Sequence, residues 1–276
     1  MMRISFSTGT FYHRNLGYIL ALARDAGYDG VELSPGHDYM FGGAKRVARI
    51  VRDAGVPVLS VHPPFVRFPG WPRSVVKKWL YIAELARAVD AGVIVAHTPH
   101  LLDERWRRAR RYTLGIQRAL EIGAGGAFCI GLETSQYNKR PERYLLDDVA
   151  TLVRFATERG CGVTFDTCHS GANGEDILAT YELLRPALVN IHLSDARWEP
   201  DGLVRTHVPP GEGSLPLREL LGRLTHDGYD GLITLEIHPK YLPLLSRKQQ
   251  LARLRSSLAF VREALAQPVA SESTGA

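Results

Sequence analysis

The chain has 276 residues, of which 45 % are hydrophobic and 23 % charged, and its formal net charge is +5. This composition is ordinary for a soluble globular protein, and a chain of this length can bury a full core without cross-links. Its three cysteines form no C-x-x-C pair, and an odd number does not indicate a disulfide framework. We therefore expect a protein of a reducing compartment.

Targeting and membrane signals are not evident in the sequence. The first residues enter a strand-like run without the apolar region of a signal peptide, and no apolar stretch approaches the roughly 20 residues that span a bilayer. We therefore expect a cytoplasmic protein with no membrane partner. The excess of arginine suits anionic ligands, either sugar phosphates or nucleic acid, although the basic run at residues 104–111 also fits the solvated face of a helix.

Short β-like runs alternate with longer helical patterns along the chain. Strands are predicted at residues 4–7, 30–33, 57–61, 93–96, 128–132, 163–165, 188–191 and 232–235. Helices are predicted at residues 16–26, 44–54, 74–90, 104–121, 144–158, 175–184, 217–225 and 247–265. Strict alternation indicates parallel strands, and eight repeats allow closure of the sheet.

The predicted fold is therefore α/β, a single-domain (β/α)8 TIM barrel over residues 1–266. About 250 residues are typical of this fold. Five predicted strands are preceded by a helix end and a glycine, as in Asp25-Ala26-Gly27 and Asp90-Ala91-Gly92, and a glycine can take the left-handed conformation that closes a helix. The small, polar tail at residues 267–276 is predicted to be disordered.

Side chains that bind metals follow six consecutive predicted strands. In a TIM barrel the active site lies where the strands end and the βα loops begin. The third to eighth strands end in His62, His97, Glu133, Asp166, His192 and Glu236, and the second ends in Glu32. Any one of these residues alone fits a structural hydrogen bond or a solvated rim. Six together predict a divalent-metal site, because converging carboxylates repel one another without a cation.

Four further features extend this set. His169 lies three residues after Asp166, on the loop that follows the sixth strand. Arg197 and His207 follow the seventh strand, and the Gly211-Glu212-Gly213 run comes next. These glycines would let the backbone pass close to a ligand, or they form a plain turn.

The strand-end motifs resemble the xylose isomerase-like TIM barrel superfamily, which includes sugar and sugar-phosphate isomerases and epimerases and also endonuclease IV. The resemblance extends from residue 5 to about residue 239. It rests on the motifs Asp166-Thr167-Cys168-His169, His192-Leu193-Ser194-Asp195 and His207-x-x-x-Gly211-Glu212-Gly213. In the sugar epimerases of this superfamily one metal is held by four residues, which correspond here to Glu133, Asp166, His192 and Glu236. The extra zinc ligands of endonuclease IV correspond to His62, His97, His169 and His207. One further aspartate of that enzyme, two residues before His207, is replaced by Arg205.

The first hypothesis that the resemblance implies is a metal-dependent isomerase or epimerase acting on a sugar or sugar phosphate. Glu133 and Glu236 would be its catalytic acid and base and would work through an enediolate. The cofactor would be Mn, Zn, Co or Mg, with one ion expected and two or three left open. The residues predicted to bind substrate are His169, Arg197, Glu32 and Phe65. A homo-oligomer is compatible with this hypothesis.

The second hypothesis is a zinc phosphodiesterase of the endonuclease IV kind, an AP endonuclease with nucleic acid as its partner. The retained His62, His97 and His207 favour it. Arg205 opposes it, and so does the loop at residues 32–38, which resembles the sugar-isomerase branch. Phe65 would be an apolar wedge in DNA or the wall of a sugar pocket. A non-enzymatic metal- or sugar-binding barrel is the third hypothesis, and the full carboxylate set opposes it.

Overall fold

Eight parallel strands close into a barrel in the computed structural model, which describes residues 2–98, 105–136, 148–242 and 246–267. The barrel strands are β1 Arg3–Ser7, β2 Gly30–Leu33, β3 Val58–Val61, β4 Val93–His97, β5 Cys129–Glu133, β6 Gly162–Asp166, β7 Leu188–Leu193 and β10 Leu232–Leu235. Their order around the ring is β1-β10-β7-β6-β5-β4-β3-β2. The predicted (β/α)8 TIM barrel is confirmed, and the strand ends meet at one mouth.

Ten α-helices lie within the described residues. They are α1 Leu16–Ala26, α2 His37–Met40, α3 Gly43–Ala54, α4 Val75–Ala88, α5 Arg105–Ile122, α6 Val149–Thr157, α7 Thr167–Asn173, α8 Ile177–Leu184, α9 Leu217–His226 and α10 Arg247–Ala266. The start of the helix predicted at 144–158 lies outside the described residues, and so does the predicted tail apart from Gln267. Within the described part of the chain, no helix is both long enough and apolar enough to cross a membrane.

The predicted turns between helices and strands form, with one difference. Gly27 ends α1 in the left-handed conformation at φ 90°, and its backbone N–H bonds to carbonyls of the last helical turn. After α4 the left-handed residue is Asp90, at φ 57°, and not the predicted Gly92. A short polar side chain tolerates this conformation better than most, so the sequence pattern located the turn two residues late.

Polar side chains fill the barrel below its mouth. Ser5 and Thr234 are joined at 3.0 Å, and the Thr234 hydroxyl donates to the Asn190 side chain at 3.1 Å. All three are fully buried. Because residues two apart on a strand face the same side of the sheet, Asn190 and His192 on β7 both point into the barrel. This polar layer supports the residues at the mouth.

The long loop expected after β7 contains an antiparallel hairpin, β8 Asp195–Trp198 and β9 Val204–Val208. Asp195 organises its base: the carboxylate accepts the backbone N–H groups of Gly211 and Gly213, each at 3.0 Å. Any side chain at position 213 would collide with this carboxylate. The two glycines therefore form a turn around Asp195, as the simpler of the two sequence interpretations expected.

Candidate metal centre and substrate site

Four ligand-type side chains converge at the barrel mouth. Glu133 and Asp166 end β5 and β6, His192 lies in β7, and Glu236 directly follows β10. One ligand atom from each lies within 4.8 Å of the others. His192 Nδ1 is 3.0 Å from Glu133 Oε1, 2.9 Å from Glu236 Oε2 and 3.9 Å from Asp166 Oδ2. These four residues, predicted from the sequence as one ligand set, are thus brought together, and we call them the central group.

Because the central group is buried, its charged side chains strongly affect one another. Glu133, Asp166 and His192 are fully buried, and Glu236 is 7 % exposed. Burial alone would lower the pKa of His192, but Glu32, Glu236 and Glu133 outweigh it and hold that pKa well above its usual value. Burial alone would raise the pKa of Glu236, but His192 outweighs it and lowers this pKa to about 2. Glu236 therefore favours the charged form that binds metals.

The central group fits a divalent cation by two observations. Asp166 Oδ1 accepts the backbone N–H of His169 at 2.9 Å, whereas Oδ2 is buried without a hydrogen-bond partner among the described residues. A buried acceptor that lacks a donor is costly unless a cation or water reaches it. Three carboxylates and one imidazole also form the nitrogen and oxygen donor set that zinc, manganese or cobalt accepts.

Glu32 lies behind His192. Its Oε2 is 3.0 Å from His192 Nε2 and accepts the Ser60 hydroxyl at 2.9 Å. The predicted substrate contact does not match this position, because the Glu32 side chain is fully buried. A carboxylate that accepts the Nε2–H fixes the ring and leaves the Nδ1 lone pair for a metal. The geometry is therefore that of a residue that orients His192.

The four other histidines that were predicted as site residues form two flanking groups, and each group shares one carboxylate with the central group. His62 and His97 lie with their Nε2 atoms 3.3 Å apart, and His97 Nε2 is 2.8 Å from Glu133 Oε2. His169 and His207 lie on the other side, with ring centres 5.3 Å apart and Asp166 beside them. Each flanking group could hold a further cation, as the sequence left open.

Cys168 joins the second flanking group and was not predicted as a site residue. Its Sγ lies 3.5 Å from His207 Nδ1, and the thiol is fully buried. Burial raises the pKa of this thiol well above its usual value, and Asp166 adds to the effect. The sequence signal was its position two residues after Asp166. There, α7 forms where a loop was expected, since the Asp166 carboxylate caps the helix through the His169 N–H.

The two arginines of the hairpin are paired with the same carboxylate. Arg197 Nη2 lies 3.1 Å from Glu199 Oε1, and Arg205 Nε lies 3.6 Å from the same oxygen. Both arginine side chains are about half exposed. Arg197, which was predicted to bind substrate, is thus held by Glu199 on the hairpin. Arg205 offers no metal-binding atom at the position where endonuclease IV has an aspartate.

Phe65, which the sequence analysis predicted to bind substrate, lies beside His62 at the mouth. Its ring stacks on His62 at a centroid distance of 4.4 Å and an interplanar angle of 12°. One edge of the ring approaches Gly9, where a side chain would collide with it. The residue remains 43 % exposed. A fixed aromatic ring therefore borders the site and faces solvent.

Comparison with known proteins agrees with the barrel fold. The family model described as xylose isomerase-like TIM barrel matches residues 20–264. The chain belongs to this family. Fructoselysine 3-epimerase of Escherichia coli O157:H7 is 24 % identical over 257 residues, which cover 86 % of this chain and 91 % of that protein. An uncharacterized protein of Mycobacterium tuberculosis is 25 % identical, with 95 % and 97 % covered.

Two solved structures share this fold and superpose on nearly the whole chain. IolI protein with a bound zinc atom has a TM-score of 0.75 at 16 % identity, covering 96 % of this chain and 100 % of that one. D-Psicose 3-epimerase with D-tagatose from Clostridium cellulolyticum H10 has a TM-score of 0.72 at 14 % identity, with 96 % and 99 % covered. At these identities the likeness supports the fold.

Proposed function

We propose that the protein is a divalent-metal-dependent sugar epimerase or isomerase that moves a proton at the carbon next to the sugar carbonyl. The observation that carries this proposal is the central group, in which two glutamates and an aspartate surround one imidazole nitrogen at the barrel mouth. The relatives support the same chemistry, because fructoselysine 3-epimerase and D-psicose 3-epimerase are named for inversion at a sugar carbon.

Glu133 and Glu236 divide the proton transfer between them. One carboxylate removes the proton from the carbon next to the carbonyl, and the electron pair of that C–H bond forms an enediolate. The other returns a proton to the opposite face, which inverts the carbon. Return to the neighbouring carbon would instead move the carbonyl along the chain. When bound at the central group, a divalent cation would polarise the carbonyl and so acidify the C–H bond.

Hydrogen exchange tests this proposal whichever product the reaction forms. Protein loaded with Mn²⁺, Co²⁺, Zn²⁺ or Mg²⁺ is incubated in D2O with a panel of ketoses and ketose phosphates, and deuterium at the carbons beside the carbonyl is followed by NMR. We expect exchange with at least one sugar, its loss after chelation, and one tightly held ion per chain. Absence of exchange with every metal and with every ketose, ketose phosphate and ketose conjugate, despite metal binding, would refute the proposal.

Endonuclease IV-like zinc phosphodiesterase chemistry is the second candidate, and the two flanking groups are the observation that favours it. With the central group they place three sets of ligand-type atoms side by side, each within 4.8 Å. Clustered zinc ions can generate hydroxide and stabilise a leaving oxygen. The pairing of Arg205 with Glu199 opposes this candidate, because the position of the expected aspartate offers a cation in place of a ligand.

A further inference from the structure

A cavity of about 350 Å³ adjoins the central group on the side of β3 and β4. Its walls come from the segment after β3, from β4, and from helices α4 and α5. Four aromatic side chains line it, namely Phe65, Trp71, Trp79 and Tyr112. Its size falls in the range of about 300–1,000 Å³ found for small-molecule sites. The proposed proton transfer at Glu133 and Glu236 does not use this space.

The cavity borders the proposed reaction centre at His97. This side chain lines the cavity, and its Nε2 lies 2.8 Å from Glu133 Oε2. Tyr112 fixes the same position from within the cavity, since its hydroxyl donates to the His97 carbonyl at 3.2 Å. Phe65, which stacks on His62, forms part of the wall nearest the mouth. His97 and Phe65 thus border both the cavity and the residues at the barrel mouth.

The walls suit an apolar group better than a sugar. Trp71 and Trp79 are 7 % and 5 % exposed, so the surface that they offer the cavity is apolar and fixed. Trp71 is packed against Tyr39 and Phe68, and Trp79 against Tyr112. A free ketose carries hydroxyls around its whole ring, and each would need a partner after burial. An aromatic ring needs only contact and an offset or edge-on neighbour.

Two cations line the same cavity. Arg67 lies on the segment after β3 and Lys78 on α4, and both are exposed. Neither forms an ion pair with a carboxylate among the described residues. Unpaired cations at the edge of an apolar pocket attract an anion, and a guanidinium can bind a carboxylate through two parallel hydrogen bonds. The cavity thus combines an apolar interior with a positive edge.

We propose that the substrate is a ketose conjugate whose aromatic or similarly apolar substituent fills this cavity and ends in an anionic group between Arg67 and Lys78. The sugar part lies at Glu133 and Glu236, so this inference rests on the proposed function. It assigns the residues around the cavity to substrate selection. Free ketoses are then poor substrates, because they leave the apolar walls in contact with water.

A matched series of ketoses tests the cavity. D-Fructose, its phenylamino derivative and its 4-carboxyphenylamino derivative share a free carbonyl and differ only in the substituent. Each ring is attached once at carbon 1 and once at carbon 6, so that the result does not depend on one linkage. Affinities are measured by titration calorimetry on Mn²⁺-loaded protein. We expect the ring to raise affinity about tenfold or more through apolar contact, and the carboxylate to add about fivefold.

Variants separate the two parts of the cavity. Val75→Phe places a larger apolar side chain at a lining position and should remove most of the gain from the ring. Arg67→Gln with Lys78→Gln should remove only the gain from the carboxylate. The matched control is Arg73→Gln with Lys77→Gln, which removes the same charge from exposed neighbours that do not line the cavity. The thermal midpoint of each variant shows whether it is folded.

The outcomes distinguish this inference from the proposed function. Equal affinities for the three ketoses at both linkages overturn the cavity assignment, even if D-fructose exchanges deuterium. The assignment is also overturned if the control substitutions at Arg73 and Lys77 remove the affinity gained from the carboxylate as fully as the substitutions at Arg67 and Lys78 do. The expected order of affinities, lost only in the lining variants, supports the assignment. If that order holds while no ketose or conjugate exchanges deuterium, the cavity binds as proposed and the proton-transfer function is wrong.

Discussion

Two buried aspartates, Asp166 and Asp195, lie at the same mouth of the barrel in opposite surroundings. Asp195 accepts four backbone N–H groups, two on each oxygen, from Ala196, Gly211, Gly213 and Leu215. Asp166 accepts the N–H of His169 on one oxygen, while the other has no hydrogen-bond partner among the described residues. Both are at most 1 % exposed.

This difference separates a structural carboxylate from one that fits a metal. Four charge-assisted hydrogen bonds satisfy Asp195 within the protein itself, so it holds the hairpin and the following turn in place. Asp166 lies instead with two other carboxylates around His192 and retains one unused acceptor. Residue type and position after a strand do not distinguish the two aspartates. The number of backbone donors that each receives does.

The largest effect is expected within the central group. Glu236→Gln should slow conversion of the sugar to its epimer or isomer about 10³-fold, inside the range of about 10²–10⁴ for loss of a general acid or base. The amide retains the shape of the side chain but cannot take up a proton, whereas Glu133 can still exchange deuterium on its own face of the carbon. Glu212→Gln, on the turn that Asp195 organises, is the control and should change conversion less than about twofold. Conversion that survives in the Glu236 variant would exclude this residue from proton transfer.

The free energy of unfolding should distinguish the two aspartates. Asp195→Asn should lower the free energy of unfolding by about 2–4 kcal/mol, because the amide nitrogen replaces an acceptor and faces backbone donors. Asp166→Asn in metal-free protein should change it by no more than about 1 kcal/mol, since one of three crowded charges is removed. Urea unfolding after chelation measures both. Equal destabilisation by the two substitutions would remove the distinction drawn between them.

A smaller effect is expected behind the metal site. Glu32→Gln should weaken Mn²⁺ or Co²⁺ binding about tenfold, at the lower end of the 10- to 100-fold losses typical of residues that orient a metal ligand. The amide can still accept the His192 Nε2–H but carries no charge. Direct titration with the metal gives the dissociation constant, and the exposed Glu219→Gln serves as control. An unchanged constant would mean that Glu32 does not position His192 for the metal.

The sequence predicted the barrel and the central group because both depend on local patterns. Alternating strands and helices determine the topology, and the residue that ends each strand points to the shared mouth. It could not assign Glu32, whose partners His192 and Ser60 lie 160 and 28 residues away. It also missed α7 and Cys168, because the capping of a seven-residue helix by Asp166 depends on the backbone path after β6. The cavity beside His97 arises from four separate elements and has no sequence pattern.

The smallest expected effect concerns nucleic acid. We expect zinc-loaded protein to leave an abasic-site duplex intact at physiological salt, although the flanking groups provide further ligand-type atoms. Incision needs a protein that grips several phosphates and turns a nucleotide out of the stack at a cost of a few kcal/mol. A net charge of +5 over the whole chain is a modest excess.

The flanking group of His169 and His207, near the hairpin, decides whether a further zinc ion for DNA cleavage can bind. Arg205 points its charge toward Glu199, so its position supplies no anionic ligand beside His169 and His207. Cys168 Sγ lies close enough to His207 to complete that group if the thiol loses its proton, but burial and Asp166 oppose the thiolate. A gel assay of labelled abasic duplex, with Arg205→Asp beside the native chain, decides the matter. Metal-dependent cleavage by the native chain, without deuterium exchange into any sugar, would favour the phosphodiesterase. Cleavage gained only in the Arg205 variant would show that this one residue separates phosphodiester cleavage from proton transfer on a sugar.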